Sequence, residues 1–187
     1  MTARGLALGA ALLLAACAAE DAAAPAPATP PAATPEALAD RLPENLSGFS
    51  RGGTAVISAP RPGREVAYAT PGNRAAAVVQ VLRPDAPLAD GFRAPEVEAE
   101  FQRWTGDVTR GAGSHRRLRV VRETEQAGLF RCAELEGAYG RQPVEGKACV
   151  GAAAGQMVRA RVSMPRRDPP VADAEAFLRD LAASLRR

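Results

Sequence analysis

The chain has 187 residues, 24 Lys and Arg against 21 Asp and Glu, and a formal net charge of +3 at pH 7. That balance is too small to argue for a nucleic-acid partner. With three cysteines and one histidine, His115, the chain also lacks the ligands of a zinc site. Lys147 is the sole lysine, so the basic count is nearly all arginine and reads as genome composition rather than as a selected surface.

The first element is a leader. Met1 to Arg4 carries one positive charge, and Gly5 to Ala16 is uncharged and mostly Ala and Leu. Small residues surround Cys17, which is the layout of a secretory signal. The apolar run is shorter than the roughly 20 residues a spanning helix needs. Leu14-Ala15-Ala16-Cys17 resembles the lipobox of bacterial lipoproteins. The resemblance implies cleavage before Cys17, diacylation of its thiol and acylation of the new amino terminus, giving residues 1–16 as signal peptide. More than one acyl chain meets the requirement for stable anchoring. The other reading of the same residues is an ordinary signal cut after Ala16-Cys17-Ala18. Ala18 stands where Asp would retain an enteric lipoprotein in the inner membrane, so the resemblance implies an outer-membrane anchor with the domain in the periplasm.

Residues 17–35 are nearly all Ala and Pro after the cysteine and lack a core, so they form an extended tether reaching at most about 50 Å. Residues 36–187 suffice for one domain. Within it, Glu36 to Leu42 predicts a short helix ended by Pro43. Thr54 to Ser58, Arg64 to Thr70 and Arg74 to Leu82 predict three strands separated by the turns "APRPG" and "TPGN". In "APEVEAEFQRWTGDVTRG", Val97, Phe101, Trp104 and Val108 fall on one helical stripe, with Pro95 and Glu96 suited to the first turn and Gly111 to the close. The stripe makes Trp104 a core residue.

Arg116 to Glu123, Leu129 to Glu136, Lys147 to Ala152 and Gln156 to Met164 predict four more strands. Asp173 is placed to cap a last helix with Ala174, Phe177, Leu178, Leu181 and Leu185 as its apolar stripe. The expected fold is α+β: a single domain with an antiparallel sheet of about six to seven strands and two main helices packed on one face. That order loosely resembles the PsbP-like fold, a likeness of architecture that transfers no site.

With Cys17 assigned to lipid, Cys132 and Cys149 form an even pair in an oxidising compartment. Their strands flank a loop centred near Tyr139 to Gln142, so antiparallel pairing sets them opposite one another and favours a disulfide. Two inert thiols or a redox pair are the alternatives, but no C-x-x-C is present.

Catalytic signals are absent from the sequence. Ser114 and His115 are neighbours that point apart on a strand, no G-x-S-x-G occurs, and "SRGGT" lacks the lysine and helix of a phosphate loop. The carboxylates of "EVEAE" and "RETEQ" suit solvated faces. No catalytic residue, cofactor or metal is assigned.

Arg117, Arg119, Arg131, Arg159 and Arg161 occupy alternating strand positions. If helices cover the other face, they converge into a stripe able to bind an anionic envelope polymer or an envelope protein. Otherwise Glu123, Glu125, Glu134 and Glu136 pair with them on a solvated face. The function expected is a membrane-anchored periplasmic lipoprotein acting as a non-catalytic binding or accessory module. The alternative is a hydrolase-like periplasmic enzyme with an unrecognised site.

Overall fold

A computed structural model describes residues 33–110 and 115–187. The leader, Cys17, the tether as far as residue 32, Gly111 and Ser114 lie outside the described residues.

Helix α1, Pro35–Asp40, starts where the Thr34 hydroxyl accepts the Ala37 N–H at 3.2 Å, with Pro35 in the first turn. It leads to β1 (Asn45–Leu46), β2 (Phe49–Ile57), β3 (Gly63–Ala69) and β4 (Ala76–Leu82). Then come α2 (Pro95–Arg110), β5 (Arg116–Gln126), β6 (Phe130–Tyr139), β7 (Gln142–Ala153), β8 (Gln156–Pro165) and α3 (Ala174–Leu185). Asp173 caps α3, accepting the Ala176 N–H at 2.9 Å.

All strand pairs are antiparallel, in the order β1-β2-β3-β4-β8-β7-β6-β5. The sheet curls into a half-barrel. Two meanders therefore meet at β4 and β8. The connection between them carries α2 across one face to the far edge, where β5 begins. The loop before α2 is tied down on the way: Gly91 and Ala152 exchange backbone hydrogen bonds, and the Asp90 carboxylate accepts the Ala154 N–H at 2.8 Å.

The α+β class and the antiparallel sheet are as expected, but the described sheet has eight strands rather than six or seven. The addition is β1, two residues turned back onto β2 through Ser47 and Gly48, both at positive φ. The helices also lie on both faces, not one. On one face α1 and α3 bury Leu38, Phe177, Leu178, Leu181 and Leu185 against Val66, Val79, Val158, Ala160 and Val162. On the other, α2 buries Val97, Phe101 and Val108 against Leu135, Ala148, Val150, Ala152 and Met157. The cause is visible in β7, whose alternate residues are apolar on both sides: Ala148, Val150 and Ala152 toward α2, Cys149 and Ala153 toward α3. Trp104 is only half-buried at the edge of the α2 cluster.

Curling brings backbones close. A Cβ at Gly137 would collide with the Arg117 carbonyl, and one at Gly146 with the Val162 carbonyl, so both positions require glycine.

Under α3, the Phe177 ring lies 4.9 Å from Phe49 and 5.5 Å, edge-on, from Tyr68. The Tyr68 hydroxyl donates to the Pro43 carbonyl at 2.8 Å, and burial pushes its pKa up to about 12 from 10.0. The folded value is raised above the unfolded one, so this contribution to stability is full below about pH 10 and is lost as pH rises through about 12. In a phenolate-absorbance titration, Tyr68 should ionise only with alkaline unfolding, and Tyr68→Phe should remove that step. An early Tyr68 titration without unfolding would contradict the burial argument.

Candidate anion-binding cleft

The register divides the five sequence-predicted arginines. Arg117 and Arg119 pair with Ala138 and Glu136, on the face that carries α3. Arg131, Arg159 and Arg161 project on the α2 face with Ala133, Val150 and Met157. A shift between Val120 and Arg122 resets the alternation within β5. The five do not form one stripe.

Most of them are already paired. Arg131 forms ion pairs with Glu98 of α2 and with Glu123, the latter at 2.7 Å, and its guanidinium lies 5.0 Å from the Phe101 ring centre. Arg159 pairs with Glu100, which also pairs with Arg103, and Arg159 lies 4.7 Å from the Trp104 ring centre. These two arginines fasten α2 to the sheet. Arg119 meets Glu136 at 3.2 Å, shared with Arg166 at 3.3 Å. Arg117 is exposed.

Two grooves adjoin β7 and β8. One, of about 590 Å³, runs between the sheet and the start of α3. Both of its basic residues are taken: Lys147 reaches Glu134 at 3.1 Å and Glu175 at 2.8 Å, and Arg122 reaches Glu134 at 2.8 Å. The Arg122 hydrogen bond, helped by Lys147, holds the Glu134 carboxyl below the usual carboxylate range. That groove is an ion-pair clasp between α3 and the sheet.

The second groove, of about 600 Å³, lies where the turn before β4, the end of β8 and the residues following β8 come together. Its walls are mostly apolar, and Arg74, Arg161 and Arg167 line it without any carboxylate. Arg161 comes from β8 opposite Val78 of β4. Its Nη2 donates to the Tyr139 hydroxyl oxygen, leaving that hydroxyl's own proton to donate elsewhere. The Arg161 Nε is shut off from solvent with no hydrogen-bond partner among the described residues. Burial lowers the Arg161 pKa, and the charge of Arg116 adds to the effect.

Arg116 stands in register with Tyr139, its guanidinium 5.6 Å from the ring centre. Its Nε and Nη2 are also buried without partners among the described residues. Two guanidiniums thus share one phenol with no acid among the described residues to balance them. An anion seated against Arg161 in the cleft would balance this charge.

Sequence reasoning named Arg161 but missed Arg116 and Tyr139. The sequence pattern places Tyr139 in the connecting loop; in the structure it is the last residue of β6, and its partner Gln142 follows after only Gly140 and Arg141.

Cys132 and Cys149 face each other in register, form a disulfide and are fully buried. Among the described residues, no group of three or more His, Cys, Asp or Glu is arranged to hold a metal ion, and no helix is long and apolar enough to cross a membrane. No protein-family model matches the chain, and no curated protein matches it.

Proposed function

We propose that the protein is a lipid-anchored envelope lipoprotein of the outer membrane, facing the periplasm, whose α+β domain is a non-catalytic binding module. The Arg161 cleft is its ligand site. The observation that carries the binding half is the juxtaposition of Arg161 and Arg116 at Tyr139, beside an apolar-walled cleft that no carboxylate lines. A concave, mostly apolar site with a few convergent polar groups is the usual form of a small-ligand site. The anchoring half rests on Leu14-Ala15-Ala16-Cys17.

Each half has its own test. Cys17→Ser should move the protein from the membrane fraction to the soluble fraction, and unchanged membrane retention would count against lipidation at Cys17. Acetate and inorganic phosphate, titrated into labelled protein, should shift backbone NMR signals around Arg161 and Tyr139 in the wild type but not in Arg161→Gln. Equal shifts in both proteins, or none in either, would remove the cleft from consideration.

A further inference from the structure

We propose that the cleft binds a single-chain anionic amphiphile, an acyl or alkyl chain ending in a carboxylate or a phosphate monoester; this rests on the reading of the cleft as the module's ligand site. A small anion alone leaves the site unexplained. About 600 Å³ is the size of a site for a whole small molecule, within the usual range of roughly 300–1,000 Å³.

The cleft offers both parts of an amphiphile a partner. Arg161, braced by Tyr139 and backed by Arg116, offers charge-assisted donors, and the free Tyr139 O–H adds a neutral one. Beside them Val78, cross-strand from Arg161, and Val144 and Val171 take apolar chain out of water. Arg74 and Arg167 stand at the lining and add positive potential without a competing acid. A neutral chain would gain the apolar contacts but leave the guanidinium donors unmet, so the head group sets selectivity.

The test uses the full chain carrying Cys17→Ser, so that no acyl group of its own competes, with a dansyl fatty acid as fluorescent probe. Competitors are laurate, dodecyl phosphate, dodecanol and inorganic phosphate. Laurate and dodecyl phosphate should displace the probe, with dodecanol weaker by about tenfold or more. Folded Arg161→Gln should weaken laurate by about tenfold or more, and Arg119→Gln, on the other face, should leave it unchanged. Should Arg161→Gln fail to fold, Arg116→Gln decides by the same loss. The preferred head is whichever of laurate and dodecyl phosphate competes better.

Dodecanol competing as well as laurate would overturn the proposal, as would wild-type laurate binding in folded Arg161→Gln and Arg116→Gln. Phosphate-induced signal shifts at Arg161 without laurate binding would overturn the amphiphile and leave the anion cleft standing. Neither probe nor phosphate binding would overturn both.

Discussion

Truncating Glu100 to alanine should cost about 3–5 kcal/mol of folding free energy. Glu100 is fully buried, and its carboxylate holds both Arg159 and Arg103. Removing it leaves Arg159 under Trp104 with a charge and no counter-ion. Burial already pushes the Arg159 pKa down to about 10, with the charge of Arg61 adding to it.

The paired replacement Glu100→Leu with Arg159→Met should recover most of the loss, because a buried ion pair exchanged for apolar side chains is often close to neutral. Glu98→Ala, at a more exposed partner of Arg131, should cost no more than about 1 kcal/mol. Urea denaturation checks all three, and Trp104, the sole tryptophan, reports locally because it stacks on Arg159. If Glu100→Ala and the double variant lose equal stability, the loss is one of packing rather than of unpaired charge.

Replacing Cys132 and Cys149 together by alanine should cost about 3 kcal/mol, from the loop of sequence separation 17 that the disulfide closes. For a domain of this size that lowers the melting temperature by roughly 6–12 °C. Both cysteines are fully buried between β6 and β7, so reductant should act only when the sheet opens. Native protein in reductant should therefore keep its intact mass until denaturant is added, and then gain two hydrogens. Prompt reduction of the folded protein would show that β6 and β7 separate locally.

The hairpin that joins these cysteines was readable in advance, because Gly140 marks a turn and equal arms place Cys132 opposite Cys149. So were α3 and its Asp173 cap, which follow from short-range chemistry. What could not be read was how separate hairpins meet. Nothing local states that α2 carries the chain to the far edge, so that β4 pairs with β8 and Val78 comes opposite Arg161.

The face on which each arginine projects depends on that pairing and on the shift at Val120 and Arg122, both long-range outcomes. One clue was present and overlooked. Glu100 lies three residues after Val97 and one before Phe101, on the apolar stripe itself, where a carboxylate needs a buried cation. Taking the carboxylates of "EVEAE" as solvated hides the partners of Arg131 and Arg159.

The described chain begins beside the β7–β8 turn, where the Ala33 N–H donates to the Ala154 carbonyl at 3.1 Å. The cleft lies at the other end of β8, around Ser163 and Pro165, roughly 25 Å along the strand. The domain thus has a root and a crown. A ligand seated at the crown would therefore leave the β7–β8 turn, where Ala33 is held, untouched.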